Sequence, residues 1–122
     1  MAVERNLRNL HWSSSEKKIA RAAFNSALAR EKAATRMAVE EILKRSDDLD
    51  QIWDIHDFLS DKRREFRGKY DYRYSVLIWV FGRLLHEQWL IESDLTGLAT
   101  DKLELIRDRA AASGKLTGRG DR

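Results

Sequence analysis

No proline and no cysteine occur in this 122-residue chain, and no stretch approaches the roughly 20 consecutive apolar residues that a membrane helix needs. The first absence frees helices from the residue that most often breaks them. The second excludes a disulfide framework and any thiolate metal site, and fits a reducing compartment. The longest apolar run is only SVLIWVF, Ser75 to Phe81, and the opening MAVERNLRNLHW has no apolar signal-peptide core, so a soluble, cytoplasmic protein is expected. An excess of one charge is missing too. With 23 basic and 20 acidic residues the net charge is +3, which argues against a surface dedicated to polyanions.

What is present is a charged fraction of 35% and a hydrophobic fraction of 43%, in a chain long enough for one modest core. The expected fold is all-α: a long N-terminal helix plus a compact group of shorter helices, in a dimer. Residues 1–112 are expected to form a single helical domain, and 113–122, SGKLTGRGDR, a flexible polar tail.

SSSEKKIARAAF places Glu16 three residues after Ser13, the spacing at which serine and glutamate satisfy each other's orphan amides, so a helix should start there. Its inner face runs through Ile19, Ala23, Ala27, Ala34, Ala38 and Ile42. Such small side chains gain contact only when another backbone comes close, which suggests an arm that packs on a second copy. RSDDLDQIW offers the next cap at Ser46 or Asp47, and the second helix should reach about Phe66 and stop at Gly68. Val76 to Phe81 is apolar on nearly every side, so a third helix should be buried all round. After a break near Trp89 to Ser93, Leu95, Leu98, Leu103 and Ile106 give a last amphipathic stripe, interrupted near Gly97.

The second helix carries an unusual combination. At 100° per residue Trp53, His56, Asp57, Ser60 and Arg63 share about a third of its circumference. Ile55, Phe58, Leu59 and Phe66 remain available to face the core. A capped amphipathic helix with a solvated charged face accounts for much of this pattern. Catalysis would need His56 and Asp57 to act together, yet sequence neighbours on a helix point about 100° apart, and no serine or cysteine nucleophile is poised nearby. A metal site would need His86 and Glu87 to join them, without any His-x-x-x-His or Glu-x-x-His pair. Neither a catalytic residue, a metal nor a cofactor is expected.

A nucleic-acid face could use Lys62, Arg63, Arg64, Arg67, Lys69 and Arg73 with Phe66, Tyr70 and Tyr72. Against it, Asp61, Glu65 and Asp71 are interleaved, and Glu65 with Lys69 has the spacing of a helix salt link. A protein-docking surface is the remaining reading, since tryptophan and arginine are enriched at binding hot spots.

The string Trp53-x-x-His56-Asp57-Phe58-Leu59-Ser60-x-Lys62-Arg63-x-Glu65-x-x-Gly68-Lys69-Tyr70-Asp71-x-Arg73-x-Ser75-Val76 resembles the signature of the fluorescence recovery protein family. The likeness continues through Val80-Phe81, Leu84-Leu85 and Asp101-Lys102, covering about Leu49 to Lys102. It implies a helical, dimeric, non-enzymatic protein. Its implied partner is the orange carotenoid protein, whose light-activated red form it would return to the orange form, ending quenching of phycobilisome excitation. The resemblance places dimer-interface and partner-binding roles on Trp53, His56, Asp57 and Arg63, with Arg63 foremost, within a signature that also includes Arg73. Trp79 stands where relatives carry phenylalanine, also linked to partner binding. Glu104 and Leu105 stand where relatives can carry lysine, which bears on partner preference more than on fold.

Overall fold

The computed structural model describes residues 10–45 and 47–120, with side chains as far as residue 113. Among these residues four helices and one 3-10 turn follow in order: α1 (Ser14–Arg45), α2 (Gln51–Lys69), α3 (Leu77–His86), the turn Glu92–Leu95, and α4 (Thr100–Gly120). There is no strand among the described residues.

Helix α1 begins where the serine-glutamate spacing places it. Ser13 N donates to Glu16 Oε1 at 3.0 Å, and Glu16 N donates to Ser13 Oγ at 3.2 Å, which closes the capping box. The helix then divides by what it touches. Ala20, Ala23, Phe24 and Ala27 are buried in the core with Leu77, Ile78, Val80, Phe81 and Leu84 of α3 and Ile106 of α4. Ala34, Ala38 and Ile42, on the same face further along, are only half-buried. The first half of the alanine stripe therefore packs on its own subunit, contrary to a simple arm directed wholly at a second copy. Arg30 fixes the middle of α1 to the body by bonding Asp94 at 2.7 and 3.2 Å and the Trp89 carbonyl at 2.8 Å.

Helix α3 is the apolar hub, as its sequence suggests, but Trp79 turns outward and is half-buried. Its closest neighbour is α4, and Gly82 makes that approach possible: a Cβ there would stand 2.5 Å from Arg109 Cβ. The connection to α4 turns at Gln88 (φ 71°) and Gly97 (φ 104°), and buries Leu95 and Leu98 on the way. The stripe interrupted near Gly97 is thus realised as a 3-10 turn followed by a helix. No helix of the described residues is long and apolar enough to cross a membrane.

Several boundaries differ from expectation. Helix α2 starts at Gln51 rather than after Asp47, because Asp48 supplies the turn: its carboxylate accepts from Asp50 N at 3.0 Å and its carbonyl from Gln51 N at 3.1 Å. Ser46 lies outside the described residues. The helix passes through Gly68, a residue that costs only about 1 kcal/mol in a helix interior, to Lys69, whose ammonium is drawn into the body. Helix α4 spans Thr100–Gly120.

Candidate functional site

Helix α2 buries none of its apolar side chains; its one buried residue is Lys69. Ile55, Phe58 and Phe66, expected to face the core, are half-buried, and Leu59 is 41% exposed. The correction has a physical cause. The hub helix and the first half of α1 fill the core, so α2 meets only the far half of α1 and one corner of the body. On its outer side Ile52 and Trp53 stand out in solvent, Trp53 62% exposed, beside the exposed His56, Asp57, Ser60 and Arg63.

The stripe's polar members do little for one another. His56 Nδ1 lies 3.4 Å from Asp57 Oδ1, with both side chains open to water, which is no orienting bond for a general base. Arg63 makes no ion pair among the described residues, whereas Arg64 is tied to Asp61 at 2.5 Å. Arg63 instead lines a groove of about 440 Å3 between α1 and α2. Leu28, Leu59, Phe66 and Tyr70 form its apolar walls, and Lys32, Lys62, Arg63 and Arg67 its cationic rim.

The other two residues singled out from sequence lie elsewhere. Arg73 follows α2 on an exposed loop, where it holds Asp71 through bonds of 2.5 to 3.0 Å. Trp79 projects from α3 under the Arg109 guanidinium, 5.1 Å from ring centroid to Cζ. The six residues therefore divide among the α2 stripe, a loop and the body surface.

Next to the groove, and sharing Tyr70 with it, lies a polar cluster centred on the buried Lys69 and Glu31 that sequence reasoning missed. Lys69 Nζ donates to Glu31 Oε2 at 2.7 Å, Glu87 Oε1 at 2.7 Å and Glu65 Oε2 at 3.2 Å. Tyr70 Oη donates to Glu31 Oε1 at 2.8 Å, and Trp89 Nε1 to Glu87 Oε1 at 3.1 Å. Burial alone would lower the Lys69 pKa, but its bonds to Glu31 and Glu87 outweigh that and raise it. Glu87, disfavoured as an anion by burial, is held below the usual carboxylate range by Lys69 and Arg83. Among the described residues, Glu31, Glu65 and Glu87 form the acidic group close enough to share a metal ion, and the cation they surround is the chain's own ammonium. His56 and Asp57 take no part. The signal available in the sequence was Glu31: it is the lone acidic residue between Glu16 and Glu40, and continues the small-residue face of Ala27 and Ala34.

The comparisons with known proteins agree with this architecture. Residues 12–110 match the family model of the photoprotection regulator fluorescence recovery protein. The fluorescence recovery protein of Synechocystis sp. PCC 6803 is 42% identical over 96 residues, which are 79% of this chain and 88% of the relative. The solved structure of the Fremyella diplosiphon fluorescence recovery protein superposes with a TM-score of 0.76 at 42% identity, over 83% of this chain and 99% of that one. The Synechocystis structure gives 0.77 at 40% identity, over 83% and 99%. The matched region contains the whole of α2, its groove and the Lys69 cluster, and this chain belongs to the fluorescence recovery protein family.

Proposed function

We propose that the protein is a non-enzymatic regulator of the orange carotenoid protein: it binds the light-activated red form and speeds return to the orange form, ending phycobilisome quenching. The observation that carries this reading is the outer side of α2, a 19-residue helix whose apolar and cationic stripe has no cover among the described residues. A helix in that state needs another protein surface.

Part of that cover is a second copy. The first half of α2 and the turn before it present Asp47, Asp48, Asp50, Asp54 and Asp57 with the exposed Leu49, Ile52 and Trp53. The second half presents the apolar groove rimmed by Lys62, Arg63 and Arg67. Two copies laid antiparallel bring each acidic start against the other's cationic groove, the self-complementarity that a two-fold dimer requires. Trp53 is the apolar anchor of that contact, and His56, Asp57 and Arg63 its polar frame. Arg73 and Trp79, away from the stripe, are assigned to the carotenoid protein.

A nucleic-acid role for Lys62 to Arg73 is less well supported. Four of its six cations, Lys62, Arg64, Lys69 and Arg73, are taken up by Glu65, Asp61, Glu31 and Asp71. The deciding experiment is dark reversion of light-activated orange carotenoid protein, followed by absorbance, with light scattering of the protein alone. Faster reversion and a mass of two chains are expected. An unchanged rate at equimolar protein would refute the regulatory reading, and a compact monomer at micromolar concentration would refute the dimer.

A further inference from the structure

On the exposed side of α1, Lys17 and Arg21 stand one turn apart and are held over tyrosine rings instead of carboxylates. Lys17 Nζ lies 5.4 Å from the Tyr74 ring centroid. The Arg21 guanidinium sits 3.6 Å from that of Tyr72 and 6.0 Å from that of Phe24. The rings are themselves braced: Tyr72 meets Phe24 at 4.9 Å and Tyr74 at 5.4 Å, and Tyr74 meets Trp12 at 5.8 Å. Neither cation makes an ion pair among the described residues, and nor does Lys18 beside them. From Lys17 to Val39 the one carboxylate is the buried Glu31, and Asp71, next to Tyr72, is engaged by Arg73.

We propose that Lys17 and Arg21 form a two-cation clamp for an acidic protein segment whose carboxylates stand one helical turn apart. Residues four apart on a helix have Cβ atoms about 6 Å from each other, so a glutamate or aspartate pair on a partner helix matches the two cations. A guanidinium fixed by its face keeps its N–H edges free for a bidentate carboxylate, and holding it in advance lowers the entropy cost of binding. Single-stranded nucleic acid fits less well. It needs open ring faces for its bases, and here Tyr72 and Tyr74 are already covered by the cations and by each other. The clamp is distinct from the α2 stripe: Arg21 lies about 16 Å along the helix axis from Lys32, the α1 cation of the groove rim.

The test is a calorimetric titration at low salt with an alanine-based helical peptide bearing glutamates four residues apart, its glutamine counterpart and a short oligothymidylate. The glutamate peptide is expected to bind and the glutamine peptide not, with affinity falling as salt rises. Arg21→Gln should weaken binding about tenfold with helicity unchanged. Lys17→Gln should weaken it while leaving Tyr72 covered, and so gives a second reading should Arg21→Gln disturb the fold. Arg36→Gln, which removes an exposed cation already paired with Glu40, should leave binding intact. Absence of binding to the unaltered protein, an equal loss in Arg36→Gln, or tighter binding of the oligonucleotide would each overturn the proposal.

Discussion

Lys69 Nζ and Glu31 Oε2 stand 2.7 Å apart with 2% and 1% of their residues' surfaces exposed, joining the last residue of α2 to the middle of α1. Since α2 buries no apolar side chain, this cluster is its firmest tie to the body. Removing the ammonium leaves the buried Glu31 uncompensated beside the half-buried Glu87, so Lys69→Met should cost roughly 2 to 4 kcal/mol. Adding Glu31→Gln removes one of the stranded charges and should recover part of that loss. Urea unfolding at fixed protein concentration checks both, since the midpoint of the proposed dimer would depend on concentration. A Lys69→Met loss under about 1 kcal/mol, or a double variant less stable than the single, would contradict a closed buried network.

Much of this fold is legible in the sequence because its signals are local. The Ser13–Glu16 box, the apolar run at Val76 to Phe81 and the leucines after Gly97 each state their role within a few residues. The wheel that groups Trp53, His56, Asp57 and Arg63 is local as well, and the structure keeps all four exposed along one helix. What escapes is long-range. Lys69 reads as one more cation in a basic segment, and its Glu65 link at i, i+4 is visible, but Glu31 lies 38 positions away. The exposed apolar face of α2 escapes for the same reason. Periodicity shows that Phe58 and Leu59 share a face, and not whether the core still has room for it.

A second buried carboxylate makes stability depend on acid. Burial works against ionising Glu16, but hydrogen bonds from the Ser13 and Ala99 amides and from Lys102 prevail and hold its pKa at about 2. A folded-state value below the ordinary 4.5 means stability that is whole above pH 4.5 and drains away as pH falls toward 2. The expected loss is on the order of 1 to 3 kcal/mol, and Glu16→Gln should flatten that part of the profile. Thermal or urea midpoints taken between neutral and strongly acid pH test this. An unaltered acid slope in Glu16→Gln would assign the dependence to other carboxylates.

The crossing of α3 and α4 at Gly82 leaves no space for a side chain. An alanine Cβ would lie 2.5 Å from Arg109 Cβ and 3.2 Å from the Arg109 carbonyl carbon, and the backbone contact cannot be relieved by turning a side chain. Gly82→Ala should therefore destabilise by about 1 to 3 kcal/mol, despite alanine's better helix propensity. Because Arg109 also lies over Trp79, the indole fluorescence of the folded variant should change with it. A stabilised variant would mean that α4 yields freely.

Arg63 and Arg64 are consecutive exposed arginines in opposite situations. Arg64 pairs with Asp61, one turn back on its own helix, whereas Arg63 lines the apolar groove without an ion-pair partner among the described residues. If a second copy or the carotenoid protein covers the groove, the Arg63 guanidinium becomes desolvated and must find a carboxylate or carbonyls to satisfy several N–H donors at once. A lysine keeps the charge and cannot reproduce that planar set of bonds. Arg63→Lys is therefore expected to lose activity equivalent to about 2 to 5 kcal/mol, the range for breaking a buried charge-assisted pair. Arg64→Lys, an exposed pair in water, should change less than about 1 kcal/mol. Dark reversion rates with each variant, together with the dimer dissociation constant, separate the two surfaces. A weaker dimer with slow reversion points to the antiparallel contact, and an intact dimer with slow reversion points to the carotenoid protein. Equal, small effects at both positions would make Arg63 a solvated cation and remove the groove from the function.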